Sequence, residues 1–143
     1  MNKTTKDTIY VRNEDYELYT NITQNKPEWG HGSNLKLFTT TVLIGKYIVG
    51  KRYTGTISHY YLKVKENITK PEINILKSLA VVEHGNYEIL EDEKALFRIC
   101  EEYAVYGLAE LIKWYESEEG FSSEIYDEII EKYNDEIKNF SEH

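Results

Sequence analysis

The sequence predicts a mainly α-helical fold: one compact domain of four to five helices with a small β element. The C-terminal half repeats apolar residues every three to four positions, in segments bounded by capping residues. Residues 8–12 and 56–64 instead carry the β-branched and aromatic residues typical of strands. With 143 residues, 41% of them hydrophobic, the chain has the size of a domain with its own core. We therefore expect residues 1–143 to form a single domain.

The first part of the chain combines short ordered segments with a loop. Residues 8–12, "TIYVR", predict a short strand. Asn13 is expected to cap the helix that follows, "EDYELYTNI", since the two acids after it are favourable in a first helical turn. Residues 25–34, "NKPEWGHGSN", predict a loop, with Ser33 or Asn34 capping the next helix.

Residues 35–48, "LKLFTTTVLIGKYI", are ambiguous between helix and strand. Leu35, Phe38 and Val42 follow helical spacing, whereas the β-branched run at residues 39–42 favours a strand. We predict a helix, because the apolar segment is longer than a typical strand.

The helix after the second predicted strand has clear boundaries. Thr69 is expected to cap it, and Pro71 to lie in its first turn, where a missing N–H costs little. The apolar residues of "PEINILKSLAVVEH" recur at helical spacing. The Gly85–Asn86 pair then ends the helix, as glycine often does.

A long helix is predicted from about residue 92 to residue 117. Two apolar stripes lie side by side along it, which indicates a central, much-buried helix. The stripes are Leu96, Cys100, Tyr103, Gly107, Leu111 and Trp114, and Phe97, Ala104, Leu108, Ile112 and Tyr115. Because glycine costs about 1 kcal/mol relative to alanine inside a helix, we expect Gly107 to mark the close approach of another backbone.

A last amphipathic helix is predicted over residues 122–140. Gly120 is expected to break the chain before it, and Ser122 or Ser123 to cap it. Its apolar residues recur at helical spacing in "EIYDEIIEKYNDEIKNF".

The net charge of −8 is unevenly distributed along the chain. Residues 31–70 hold seven basic residues and one acid, or +6, whereas residues 71–143 hold six basic residues and nineteen acids, or −13. The basic segment could bind nucleic acid, pair with the acidic helices of its own fold, or contact another copy or a partner protein. The overall negative charge disfavours strong independent DNA binding, which depends on clustered cations.

Residues 44–53, "IGKYIVGKRY", contain the G-x-x-x-x-G-K spacing of a phosphate-binding loop. Between the glycines lie Ile48 and Val49, whose branched side chains resist the left-handed conformations of a phosphate nest. Arg52 stands where the motif needs a serine or threonine for magnesium, and a turn and strand are predicted where a helix should follow. We interpret the match as fortuitous.

Basic residues of two neighbouring segments form the candidate binding site. If Gly45 and Gly50 end a helix, the basic residues beside them lie exposed at a turn. Further on, "HYYLKVK" interleaves rings that can stack on bases with lysines that can neutralise a backbone; the alternative is an edge strand protected by lysines. The candidate nucleic-acid or partner-binding residues are Lys46, Lys51, Arg52, His59, Tyr60, Lys63 and Lys65.

No catalytic, cofactor or metal site is predicted. The histidines lack metal-ligand spacing, and a single cysteine cannot build a zinc site. Cys100 lies on an apolar stripe and is interpreted as a buried structural thiol rather than a nucleophile. Glu83 and His84 are interpreted as a polar helix C-terminus, and the acids at residues 91–93 as a solvated helix start rather than a cation site.

Two segments carry a family resemblance: "LFTTTVLIGKYIVGKR" and, further on, "ILKSLAVVEHGNYEILEDEKALFRICEEYAVYGLAEL". In this order they resemble the small proteins called Dnd system-associated protein 4, over residues 35–111. The helix at residues 122–140 lies outside the resemblance, and Tyr106 stands where the family pattern has a glycine. The resemblance implies genes for DNA phosphorothioation modification and restriction nearby, hence anti-phage defence. It carries over no catalytic residues.

The sequence therefore supports two hypotheses. The first is a non-enzymatic accessory or adaptor protein of a prokaryotic defence system, docking on a larger nuclease, ATPase or modification enzyme. The alternative is a small DNA-binding regulator that uses the basic residues above. No apolar run is long enough to span a bilayer and no signal segment is found, so we expect a cytoplasmic protein without a membrane partner. A homo-oligomer is compatible with both hypotheses.

Overall fold

Five α-helices and a small sheet form the part of the chain that the computed structural model describes, residues 8–26, 33–117 and 122–142. The helices are α1 (Asn13–Asn25), α2 (Asn34–Ile44), α3 (Pro71–His84), α4 (Glu93–Glu116) and α5 (Ser123–Ser141); the strands are β1 (Thr8–Val11) and β2 (His59–Lys63). A π-helical turn covers Gly45–Val49, and 3₁₀ turns cover Lys65–Asn67 and Tyr87–Glu91. The predicted mainly α architecture with a small β element is confirmed. Within the described ranges, no helix combines the length and apolarity needed to cross a membrane, and the predicted break at Gly120 lies outside them.

Local capping signals set most of the helix boundaries. Ser33, Asp92 and Ser122 each accept a hydrogen bond from the backbone N–H three residues on, at 3.1–3.3 Å. These bonds satisfy donors that have no partner within the first turn of a helix. Gly85 ends α3 in the left-handed conformation, with φ of 100°. These boundaries agree with the sequence predictions.

Two predicted caps are wrong by one residue. Asn13 begins α1 instead of capping it, and Arg12 precedes the helix. The Arg12 guanidinium binds both carboxylate oxygens of Asp15, at 2.8 and 3.0 Å, so an ion pair fixes the first turn. Thr69 does not cap α3, because Lys70 lies between it and the helix. A residue that precedes a proline is held extended, which makes Lys70 the boundary.

The β-branched run at residues 39–42 is helical, as predicted from the length of the apolar segment. Thr39 and Thr40 donate to the carbonyls four residues back, at 2.8 and 2.9 Å. Thr41 donates to Phe38 at 2.7 Å, and the Tyr19 hydroxyl lies 2.8 Å from the same threonine oxygen. All three hydroxyls are therefore satisfied although the threonines are buried, which removes the main cost of burying polar side chains.

Helices α2 and α4 cross in opposite directions at two glycines. A Cβ atom added to Gly107 would overlap the carbonyl oxygen of Thr41, and one added to Gly45 would overlap the carbonyl oxygen of Tyr103. The prediction that Gly107 marks a close backbone approach is confirmed. Every residue of the two predicted stripes of α4 is buried or half-buried. α4 is therefore the central helix, and the core lies mainly along its contact with α2.

The α-helical hydrogen bonding of α2 ends at Ile44, but the helical path continues past Gly45, so of the two glycines expected to end the helix only Gly50 stops it. The Gly45 backbone is helical, with φ of −58° and ψ of −42°. The chain continues through the π-helical turn, which is closed by a hydrogen bond from the Gly50 N–H to the Gly45 carbonyl at 2.8 Å. Gly50 then ends the turn with φ of 74°. Gly45 is needed for the contact with α4, and Gly50 for the left-handed conformation.

Strands β1 and β2 pair antiparallel, with Ile9 opposite Leu62. The strand predicted over residues 56–64 is shorter in the structure, His59–Lys63. Glu101, which is 2% exposed on α4, accepts a hydrogen bond from the Tyr10 N–H at 2.8 Å. The sheet is thus anchored to the central helix by a buried carboxylate.

Helix α5 lies beside α3 and runs in the same direction. Tyr126 near the start of α5 is close enough to Glu72 for the acid to raise its pKa, after the larger effect of burial. At the other end, the Phe140 ring lies 5.5 Å from the Tyr87 ring. Ile129 of α5 is buried, whereas the other apolar residues of this helix are half-buried or exposed.

We expect Gly107→Ala to destabilise the protein by about 1–3 kcal/mol, the usual cost of overpacking. Alanine would gain about 1 kcal/mol of helix propensity, but its methyl group meets backbone atoms of α2, which cannot rotate away. Ala109→Gly at an exposed position of α4 is the control and should lose only the propensity difference. Urea denaturation measures both. A Gly107→Ala variant as stable as the wild type would show that α2 can move away from α4 at little cost.

Candidate functional site

The predicted basic site residues divide between two surfaces. Lys46, Lys51 and Arg52 belong to the π-helical turn and the segment after it, His59, Tyr60 and Lys63 belong to β2, and Lys65 to the 3₁₀ turn that follows. In the first group, Lys46 and Arg52 lie beside acids from α3, α4 and α5. In the second group, Tyr60 and Lys63 line a polar cleft. The sequence thus identified residues of two different environments as one site.

Lys46 is enclosed by acids, and its side chain is 10% exposed. Its Nζ lies 2.9 Å from Glu83 Oε1 on α3 and 3.3 Å from Glu136 Oε1 on α5. It also lies 5.6 and 5.5 Å from the ring centroids of Tyr47 and Tyr103, within cation–π range. The prediction that Lys46 is exposed at a turn is wrong, because the helix continues past Gly45 and the side chain reaches α3 and α5.

Arg52 extends the ion pairs of Lys46 onto the central helix. Together they form one ion-pair cluster, which consists of Lys46, Arg52, Arg98, Glu83, Glu102 and Glu136. Its Nη2 and Nε atoms donate to Glu102 Oε1 at 2.8 and 3.0 Å, and its Nη1 lies 3.4 Å from Glu83 Oε2. Arg98 binds the other oxygen of Glu102 at 3.2 Å and the Gly55 carbonyl at 3.0 Å. Two guanidinium groups therefore share one carboxylate, and this fixes the segment after the π-helical turn against α4.

The ionisation of Glu83 follows from its neighbours. Burial by itself would raise the pKa of Glu83, but hydrogen bonds from Lys46 and Tyr103 and the charges of Lys46 and Arg52 outweigh burial and lower it. Burial, followed by the hydrogen bond to Glu83 and its charge, raises the pKa of Tyr103 well above the ordinary value. At neutral pH the cluster therefore holds an ionised Glu83 with a neutral tyrosine donor.

The cluster neutralises the centre of the basic segment from within the chain. Of the alternatives for the uneven charge, pairing with the acidic helices of the same fold describes Lys46 and Arg52. Lys51, which lies between the two in sequence, is exposed. The acceptors Glu102 and Glu136 were not identified from the sequence. The opposite charges of the two halves were a signal for such pairing, but they did not indicate which acids take part.

The second surface carries the aromatic and basic residues of β2. Tyr60 is 48% exposed, and Lys63 and Lys65 are exposed. His59 stacks on Tyr16 with ring centroids 4.3 Å apart, and its Nδ1 lies 2.8 Å from the backbone oxygen of Tyr60. The adjoining cleft, of about 360 Å³, is lined mainly by polar side chains, among them Asn34, Tyr60, Lys63, Glu66, Asn67 and Lys70. His59 is thus held against α1, while Tyr60 is available for stacking.

The G-x-x-x-x-G-K segment does not form a phosphate nest. Gly45 and the four residues after it are helical, and the Gly50 N–H is bonded to Gly45. Lys51 is followed by residues 52–58, which form no helix whose N-terminus could face a phosphate. The geometry agrees with the interpretation of the motif as fortuitous.

A cleft of about 580 Å³ opens beside the ion-pair cluster. Its charged lining residues are Arg52, Glu83, His84, Glu88, Asp92 and Arg98. Because both signs of charge line it and several are already paired, it does not favour a single anion or cation. Across the described residues, no group of His, Cys, Asp and Glu is arranged to hold a metal ion. Cys100 is buried, as predicted, with Sγ 3.5 Å from the Leu76 carbonyl.

Comparisons with protein-family models, with curated proteins and with solved structures find no match to this chain.

Charge reversal tests whether Arg52, which is paired with acids, stabilises the fold more than its exposed neighbour Lys51. Arg52→Glu would place a third carboxylate beside Glu83 and Glu102, so we expect it to lower the unfolding free energy by roughly 1–2 kcal/mol. Lys51→Glu is the matched control and should leave stability nearly unchanged, because exposed charges contribute little. Thermal denaturation at low and high salt measures both. Equal stability of the two variants would contradict a structural role for the Arg52 ion pairs.

Lowering the pH should weaken the ion pairs of this cluster. Because the pKa of Glu83 is lower in the folded chain than its ordinary value of 4.5, the unfolded chain takes up the proton first. The stabilisation of the fold by ionised Glu83 is therefore complete above about pH 4.5, and it is lost as the pH falls through the pKa of Glu83 in the folded chain. Glu83→Gln should cost about 1–2 kcal/mol at pH 7, somewhat less than the usual stabilisation by a charged hydrogen bond because solvent partly screens this side chain. The difference in unfolding free energy between this variant and the wild type should narrow toward pH 3.

Urea unfolding from pH 7 to pH 3 measures this gap. Glu17→Gln, at an exposed position of α1, is the control and should follow the wild type throughout. A Glu83→Gln variant whose deficit stays constant down to pH 3 would show that the carboxylate charge is not the source of the stability.

Proposed function

We propose that this protein is a non-enzymatic accessory or adaptor protein of a prokaryotic anti-phage defence system of the DNA phosphorothioation type. It acts by docking on a larger protein, a nuclease, an ATPase or a modification enzyme. The link to the defence system rests on the resemblance of residues 35–111. The docking role rests on the distribution of charge and apolar side chains over the surface.

The observation that carries the docking role is the exposure of large apolar side chains in an acidic setting. Tyr87 is 61% exposed and Leu90 is 43% exposed, both on the 3₁₀ turn between α3 and α4. They lie within residues 71–143, which carry a net charge of −13. Clustered exposed apolar residues with a polar rim are typical of protein-binding surfaces.

The paired cations count against DNA as the main partner. Salt-dependent DNA binding draws on lysines and arginines that can exchange counterions for phosphates. Lys46 and Arg52 already lie within 3.0 Å of carboxylate oxygens. A phosphate would have to displace those acids, and the net charge of −8 would oppose its approach.

One observation favours the alternative, a small DNA-binding regulator. Tyr60 presents an exposed ring on the same strand as Lys63, with Lys65 just beyond and Lys51 exposed elsewhere. Rings flanked by lysines bind single-stranded nucleic acid by stacking and charge neutralisation. This hypothesis depends on the β2 surface and no longer on the π-helical turn.

Two measurements on the same protein separate the hypotheses. We expect the wild type to bind fluorescein-labelled single- and double-stranded DNA weakly at physiological salt, while an affinity-tagged chain in its host recovers a product of a neighbouring defence gene. The variant Tyr60→Ala with Lys63→Glu and Lys65→Glu should recover the same product. Tight DNA binding that falls steeply with salt and disappears in this triple variant would instead establish the regulator.

A further inference from the structure

The polar cleft beside β2 is shaped by the segment that links this strand to α3. Lys63 ends β2, and the 3₁₀ turn Lys65–Asn67 follows, with the Asn67 N–H bonded to the Val64 carbonyl at 3.0 Å. The Lys70 N–H then bonds to the Asn67 carbonyl at 2.9 Å. The turn thus brings two lysines, one from each side of it, to the lining of the same cleft.

Other lining residues come from β2 and the start of α2. The Tyr61 hydroxyl donates to the Asn34 carbonyl at 3.3 Å, which holds the strand to the helix. Tyr60 lines the cleft and is 48% exposed, so its side chain is accessible to a ligand. The cleft therefore offers an aromatic ring for stacking together with two cations.

The hydrogen bonds made within the cleft leave defined donors and acceptors. The Asn67 Nδ2 atom donates to the Lys63 carbonyl at 2.7 Å, and its Oδ1 atom can accept from a ligand. Ser33 Oγ accepts from the Lys36 N–H at 3.3 Å, so its O–H can still donate. Glu66 adds a carboxylate, which accepts from hydroxyl groups. A ligand that carries hydroxyl groups as well as an anionic group matches this lining.

We propose that this cleft binds a mononucleotide, a small ligand that combines a planar base, sugar hydroxyls and a phosphate group. The base stacks on Tyr60, the phosphate is bound by Lys63 and Lys70, and the sugar hydroxyls donate to Glu66 and Asn67. Among the described lining residues the two lysines outnumber the one acid, so the lining favours an anion. The cleft volume of about 360 Å³ lies within the ~300–1,000 Å³ typical of small-molecule sites.

Charge favours a free nucleotide over a nucleic-acid strand as the ligand. Two lysines in one cleft release few counterions, whereas strand binding draws on many phosphate contacts along a groove. The net charge of −8 also opposes a polyanion more than a ligand with one phosphate group. Nucleotide binding at this cleft goes beyond the adaptor role and does not depend on it.

The four ribonucleoside 5′-monophosphates are the probes, each titrated into the full chain and followed by isothermal titration calorimetry. We expect at least one of them to bind, with an affinity that falls as salt is added. The matching nucleoside lacks the phosphate and ribose 5-phosphate lacks the base. Each should therefore bind at least about tenfold more weakly than the nucleotide.

Substitutions in the cleft locate the binding. Tyr60→Ser removes the ring and Lys70→Gln removes one charge, and each should weaken the nucleotide about tenfold. Tyr60→Phe keeps the ring and should keep most of the affinity. Tyr87→Ser and Lys94→Gln are the matched controls, since both residues are exposed and neither lines the cleft. Equal melting temperatures of the variants would show that all of them are folded.

Three results would overturn the nucleotide site. The first is that no nucleotide binds, or that binding survives both Tyr60→Ser and Lys70→Gln. The second is that the nucleoside or ribose 5-phosphate binds as tightly as the nucleotide. The third is that single-stranded oligothymidylate binds more than about tenfold tighter than every nucleotide and loses this affinity in both cleft variants, which would make a strand the ligand. Recovery of a host protein by the tagged chain tests the adaptor role separately.

Discussion

The close crossing of α2 and α4 is the constraint on which the rest of the structure depends. The two backbones meet at Gly45 and Gly107 without room for a side chain at either position. Backbones this close exclude water and bury nine residues of α2, three of them threonines. The crossing also sets where α2 ends, and hence where the π-helical turn places the basic residues. Moving the two helices apart would shift Lys46 away from its acidic partners.

The acidic partners of Lys46 and Arg52 show how the uneven charge of the chain is used within the fold. Glu83, Glu102 and Glu136 come from three different helices and converge on Lys46 and Arg52. Exposed ion pairs contribute little to stability, but Lys46 is largely buried and would be costly to leave unpaired. The cluster thus joins the π-helical turn to α3, α4 and α5. A basic run in a sequence does not indicate a binding surface until its pairing is known.

Two surfaces remain for partners, and they differ in charge. β2 presents an exposed tyrosine with lysines, whereas the turn between α3 and α4 presents exposed apolar side chains with acids. The turn between α3 and α4 adjoins α5, where the Phe140 ring lies 5.5 Å from the Tyr87 ring. The surface at this turn therefore includes part of the C-terminal helix.

The sequence by itself determined the helices, most of their boundaries and the close approach at Gly107. Capping side chains, Pro71 and Gly85 act within a few residues, and a glycine in an apolar stripe needs a packing reason. It could not determine where Lys46 and Arg52 point, or that Gly45 belongs to a helix crossing. Their partners lie 37 and 50 residues away in the chain, and only the packing of the π-helical turn and the segment after it against α3, α4 and α5 brings them together. Contacts between distant residues depend on the whole fold, and for that reason the tertiary structure alone decided which charges are paired and which surfaces stay open.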